Sequence, residues 1–153
     1  MELTVNAVCK SGPGIADGCH SIFVSDINEA LKHFRDCFRS CGGSAYLFRD
    51  GLVQLLVRDI HDETAINGQD ICRKVDDGDI LLICSDAVND VANEDYMEHF
   101  LINSPTPAED LAEWAEEQGA TGDVSAIAAL IGGGEFGSGD DYPDDDGRFD
   151  AWA

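Results

Sequence analysis

His33, Cys37 and Cys41 stand four residues apart, and on a helix that spacing aligns them along one stripe. Imidazole and thiolate are zinc ligands, and Cys19 and His20 are candidates to complete the set. The same stripe carries Phe34 and Phe38, however, and none of the six cysteines (Cys9, Cys19, Cys37, Cys41, Cys72 and Cys84) belongs to a C-x-x-C pair. Thiols buried in a reducing cytoplasm account for the pattern, so neither a metal nor any other cofactor is expected. Nucleophilic catalysis finds no better footing. Cys19 and His20 are chain neighbours and point to opposite sides of a strand.

Asp140-Asp141-Tyr142-Pro143-Asp144-Asp145-Asp146-Gly147 has the acid density of a calcium loop. With Gly147 at the sixth position of such a loop, Tyr142 stands where a ligand is needed and Ala153 stands where the closing Glu belongs. Gly132-Gly133-Gly134 follows an expected helix rather than preceding one, so it reads as a stop signal and not a phosphate loop. His61 and His99 have no evident partners and read as surface residues. No acid–base pair can be singled out among 31 Asp and Glu, and no catalytic residue is assigned.

The elements that would position any site are legible in part. Leu3, Val5, Ala7 and Cys9 alternate with polar neighbours, as a half-buried strand does, and an extended pattern resumes over His20–Ser25. Asp26 with Glu29 reads as a capping box, opening a helix with Ile27, Leu31, Phe34, Phe38 and Cys41 on one face that stops at Gly42-Gly43. Ser44–Arg49 and Leu52–Arg58 flank Asp50-Gly51, a two-residue hairpin signal. Ile80–Cys84 is a nearly continuous apolar run and reads as a strand buried on both faces, after a turn at Asp76-Asp77-Gly78. Asp70–Val75 is either its hairpin partner or a short helix. A helix is expected over Glu94–Ile102. Another runs from Thr106-Pro107-Ala108-Glu109 to Gly119, with Thr as N-cap and Pro at the first position, and a short one over Asp123–Ile131 has a stripe of Val124, Ile127, Ala128 and Ile131.

The pattern predicts an α+β fold: a small antiparallel sheet with a packed helix in the N-terminal half, a helical acidic C-terminal part and a mobile acidic tail. Residues 1–131 are expected to form one domain, in which 1–60 is a near-neutral strand–helix–hairpin unit and 61–131 an acidic strand with helices. Residues 132–153 read as a Gly- and Asp-rich tail. At 153 residues such a chain can bury about 68–70% of its unfolded surface without metal or disulfide. No basic, apolar leader and no run of about 20 apolar residues is found, which points to a cytoplasmic protein.

Charge is the least ordinary feature. Residues 1–60 carry seven acids and six bases, whereas 61–153 carry 24 acids against Arg73, Lys74 and Arg148 alone. Direct nucleic-acid or membrane binding is disfavoured, because phosphates would repel such a surface. On the Thr106–Gly119 helix, Glu109, Asp110, Glu113, Glu116 and Glu117 gather on one arc opposite Leu111, Ala112, Trp114 and Ala115. Like charges four apart cost a few tenths of a kcal/mol each, so the arrangement calls for a basic partner. Glu94, Asp95 and Glu98 on the preceding helix and Asp144, Asp145 and Asp146 in the tail extend the candidate partner-binding surface. A plain solvated face would also look acidic. Halophilic adaptation would spread acid evenly, and residues 1–60 are balanced.

In size, acidity and lack of a catalytic motif the chain resembles DNA-mimic inhibitors, such as phage proteins that block restriction or CRISPR machinery. That resemblance implies a non-enzymatic, nucleic-acid-mimicking inhibitor, an anti-CRISPR or anti-restriction protein acting in the host cytoplasm. Its partner would be a basic nucleic-acid-binding protein, and a homodimer is possible. Two alternatives stay open: an immunity protein or antitoxin neutralising a basic toxin, and a small metalloprotein or enzyme whose site is assembled from scattered residues without a motif.

Overall fold

The alternating and continuous apolar runs assemble into one antiparallel sheet. The computed structural model describes residues 1–9, 18–25, 27–35, 43–49, 52–57 and 76–137. Strands β1 (Glu2–Val8), β2 (Gly18–Phe23), β3 (Gly43–Arg49), β4 (Leu52–Val57), β5 (Ile80–Ser85) and β6 (Ala126–Ile131) form a six-stranded sheet in the order β2-β1-β6-β5-β3-β4. Helix α1 (Ile27–Arg35) lies between β2 and β3 in the chain, and α2 (Asp86–Val91), α3 (Glu94–Asn103) and α4 (Pro107–Glu117) lie between β5 and β6. The fold is α+β, as the sequence pattern predicts. The last strand inserts between β1 and β5, so the near-neutral and acidic halves share one sheet.

Side chains alternate across this sheet and build a core on each face. One face gathers Leu3, Val5, Ala7, Leu81, Ile83, Ile127, Ala129 and Ile131 against Ala30 and Phe34 of α1. The other gathers Ile80, Leu82, Cys84, Ala126, Ala128 and Leu130 beneath α2, α3 and α4, which contribute Val88, Met97, Leu101, Leu111 and Ala115. Full burial of a side chain such as Leu111 stabilises the fold by about 2 kcal/mol. Small alanines at 126 and 128 let α4 approach β6 closely.

Two expectations are corrected. The stretch expected to be a helix over Asp123–Ile131 is strand β6 from Ala126, with all six residues buried. A run that is apolar on every side satisfies helix and strand templates alike, and pairing with β1 and β5 decides for strand. His99 is not a surface residue: it is 6% exposed, its ring edge-on to Phe100, with the Asn103 amide 3.2 Å from Nδ1.

The strand at β5, the β3–β4 hairpin and the helices over 94–103 and 107–117 stand where expected. Arg49 pairs with Leu52, which leaves two residues for the hairpin loop. The Asp76–Asp79 turn is fastened to β3 by Arg49, whose Nε lies 3.1 Å from both Asp79 oxygens and whose Nη2 lies 2.5 Å from Oδ2. Gly132 turns the chain out of β6 at φ 95°, donating its N–H to the Glu2 carbonyl. A Cβ there would sit 2.7 Å from the Asp77 carboxylate, so only glycine fits. Beyond it, Phe136 returns to the core beneath the helices. The alternatives for Asp70–Val75 and residues 138–153 of the expected tail lie outside the described residues.

Candidate functional site

Strand ends are where an antiparallel sheet can place polar groups from distant parts of the chain side by side. At one end of this sheet Val8, Ala126 and Cys84 are register neighbours on β1, β6 and β5. Beyond that row, Ser85 donates its N–H to the Ser125 carbonyl at 2.9 Å, and Ser125 donates its N–H to Ser85 Oγ at 3.1 Å. Both serines are fully buried, so the Ser85 side chain works as a clasp between the strands. Asp86 follows at once, exposed, in the first turn of α2, where the helix dipole favours a negative charge. Asp123, half-buried, precedes Val124 and Ser125 on the other side of the clasp.

The start of α2 is held by a second set of bonds. Asn89 donates Nδ2 to the Cys84 carbonyl at 3.4 Å and accepts from the Tyr46 hydroxyl at 3.1 Å. Burial, with added repulsion from Cys84 and Glu94, pushes the Tyr46 hydroxyl up to about 12, so it stays a donor. Burial also pushes the Cys84 thiol up, which makes it an inert core group.

Next to this sheet end lies a small cleft of about 260 Å³, lined by Val8, Glu109, Asp110, Ala112, Glu113 and Glu116. It faces the acidic side of α4. The expected sorting of that helix holds: Glu113, Glu116 and Glu117 are exposed, and Leu111, Ala112 and Ala115 are buried. Glu109 and Asp110 are half-buried and have internal duties. Glu109 Oε2 accepts from Asn6 Nδ2 at 2.9 Å, and Asp110 Oδ2 accepts from Ser104 Oγ at 2.5 Å. Thr106 makes no side-chain cap bond. The helix is capped instead by fully buried Asn6 of β1, whose Oδ1 accepts from the N–H of Ala108 at 2.7 Å and of Glu109 at 3.1 Å.

The other expected site residues are scattered. Glu94 and Asp95 are exposed at the start of α3, and Glu98 is half-buried. Asp144, Asp145 and Asp146 lie outside the described residues, as do Cys37, Cys41, Cys72 and His61. His33 is exposed on α1 with its ring tilted against Phe34, and Cys19 is exposed on β2. Asp86 and Asp123 were not singled out by the sequence. Their only signal is position: each lies within three residues of a predominantly apolar strand, near the sheet's rim.

No family model matches this chain, and no curated protein matches it. Three solved structures are similar over part of its length. PppA of Pseudomonas aeruginosa is 20% identical with a TM-score of 0.46, over 59% of this chain and 49% of its own. The catalytic domain of the serine threonine protein phosphatase PstP, in complex with 2 manganese ions, is 23% identical with a TM-score of 0.46, over 57% and 49%. The Ser-Thr phosphatase MsPP of Mycobacterium smegmatis, in complex with cacodylate, is 18% identical with a TM-score of 0.45, over 59% and 53%. The chain spans about half the length of these structures.

These similarities correct the functional expectation. The structures that resemble this chain include catalytic domains of phosphatases, not DNA mimics, so the readings as an anti-CRISPR or anti-restriction inhibitor, as an antitoxin and as a non-enzyme are withdrawn. The molecule offers a physical reason for the misreading. Glu109 and Asp110, two of the carboxylates assigned to a partner, serve the fold itself.

Proposed function

We propose that this chain is an enzyme domain whose site is assembled without a motif at the sheet end that carries Asp86 and Asp123. The observation that supports this reading is their placement: two carboxylates from opposite sides of a three-helix excursion flank one clasp, Ser85 to Ser125, on backbone that the core holds still. A carboxylate so placed can take a proton from water or orient it for attack. The reaction to assay first is phosphate-ester hydrolysis, the chemistry named by the structures that resemble the chain.

Asp86 and Asp123 are hard oxygen donors of the kind a manganese ion accepts. Among the described residues, however, no group of three or more His, Cys, Asp or Glu is placed to hold a metal ion. Asp86 and Asp123 by themselves do not complete a two-manganese centre.

Residues 76–137 carry fifteen Asp and Glu and no Lys or Arg. A bare phosphate ester approaching this surface is repelled, whereas an ester within a basic segment is attracted. The substrate class that fits is therefore a phosphate ester in a segment rich in lysine or arginine, steered by Glu113, Glu116 and Glu117, and the names of the similar phosphatases suggest phosphoserine or phosphothreonine as the ester to try.

Phosphate release is measured from such a basic phosphopeptide and from p-nitrophenyl phosphate, with and without added manganese. The expected result is turnover of the peptide that falls roughly 10²-fold in Asp86→Asn and in Asp123→Asn, with unchanged melting. No release under any of these conditions, or equal release by the double variant, overturns the proposal.

A further inference from the structure

Helix α2, which carries Asp86, is weakly secured by its own residues. It has six of them, Asp86–Val91, and isolated helices shorter than about 12 residues are marginal even in good helix-forming sequences. Val88 alone is fully buried, with Ala87 and Val91 half-buried beside it. The N-cap residue Ser85 makes no side-chain cap bond, and its Oγ accepts instead from the Ser125 N–H at 3.1 Å. Such a helix depends on tertiary bonds to hold its first turn, where Asp86 stands exposed.

One such hold comes from β3. Tyr46 is the register partner of Leu82, four residues before Asp86, and it packs on the helix-covered face of the sheet. Its hydroxyl donates to Asn89 Oδ1 at 3.1 Å, and Asn89 Nδ2 donates to the Cys84 carbonyl at 3.4 Å. The Asn89 amide is thus held at both ends, to β3 and to the end of β5. The Tyr46 bond is partly buried, so water competes for it less than at the open surface. Asn89 stands three residues after Asp86, and positions three apart are neighbours on a helix surface. Fixing Asn89 therefore fixes the rotation of α2 at Asp86.

We infer, on the reading of Asp86 as a working carboxylate, that Tyr46 and Asn89 are its positioning residues: their bond sets the rotation of α2, and with it the placement of Asp86 beside the Ser85–Ser125 clasp. Neither residue touches the reacting atoms. Their contribution is alignment, where a misplacement on the order of 1 Å costs up to about 10²-fold in rate. Attraction of the substrate rests on Glu113, Glu116 and Glu117 of α4, so the pair acts on kcat and leaves KM alone.

Tyr46→Phe removes the hydroxyl and keeps the ring, and Asn89→Ala removes both bonds while placing the best helix former in the helix. Backbone NMR order parameters are measured on the full chain for each variant, beside turnover of the basic phosphopeptide. Residues 86–89 should be rigid in the unaltered chain, at about 0.85, and should fall toward about 0.6 in either variant with β5 unchanged. The expected kinetic effect is a kcat lower by about 10-fold at unchanged KM. The double variant should lose no more than Asn89→Ala alone, because Tyr46 then has no bond left to lose. Order parameters that stay at their original level in both variants, a loss carried by KM, or a double variant whose losses multiply would overturn the inference. An unaltered chain without turnover overturns the enzyme reading instead, and the order parameters then decide by themselves whether the pair holds α2.

Discussion

The sequence announces a cap for α1 at Asp26, which lies outside the described residues, and one for α4 at Thr106, and the bonds seen at the two helix starts reach over opposite distances. At α1 the bonds are local: Glu29 Oε1 accepts from the Ser25 N–H at 3.2 Å and from the Ser25 hydroxyl at 2.6 Å, four residues back. At α4 the announced cap, Thr106, makes no side-chain bond, and Asn6 does the work from 102 residues away. The bonds at the first helix need only residues of its own segment. The second is capped only once β1 has docked beneath it, so its end reports on tertiary structure.

The sharpest way to break this contrast is Asn6→Ala. It orphans the buried N–H groups of Ala108 and Glu109 and leaves the Glu109 carboxylate without its amide donor. A loss of about 3 kcal/mol is expected in chemical denaturation. A change under about 1 kcal/mol would mean that water replaces the cap.

Asp79→Asn tests a second long-range tie, the fork from Arg49. Because Arg49 is 32% exposed the pair is partly screened, and about 1.5 kcal/mol is expected from the same measurement. Glu29→Ala should cost less, about 0.5–1 kcal/mol, because its bonds are exposed and local. Thr106→Ala should cost under about 0.5 kcal/mol, and a larger loss would restore Thr106 as the true cap.

The smallest effect at neutral pH belongs to Tyr46. Its ionisation is raised in the folded state from 10.0 to about 12, so the folded form keeps a proton that the unfolded form has already lost. Stability is then unaffected below pH 10 and falls as pH rises from 10 to about 12. Tyr46→Phe should flatten that fall in melting curves taken across this range. An unchanged slope would place the alkaline sensitivity elsewhere.

Part of the fold was legible because its determinants are neighbours in the chain. Asp50-Gly51 sits between two β-rich runs and yields the β3–β4 hairpin, and the spacing of Leu111, Ala112 and Ala115 yields the buried stripe of α4. The candidate site was not legible. Asp86 and Asp123 are two among 31 acids, and nothing local marks them, since their meaning comes from the register that pairs Cys84 with Ala126. Acidity itself misled, because a carboxylate that caps or clasps looks the same in sequence as one that faces a partner.

By itself, the sequence determined the periodic elements, the α+β class and the imbalance of charge, since each rests on residue types a few positions apart. Tertiary structure alone decided that Ala126–Ile131 is a strand, that His99 is buried, that Asn6 caps α4 and that Asp86 and Asp123 share a sheet end. The physical reason is the same in each case. Local geometry limits what a short segment can be, but a segment apolar on all sides, or a polar group with many possible partners, takes its identity from what packs against it.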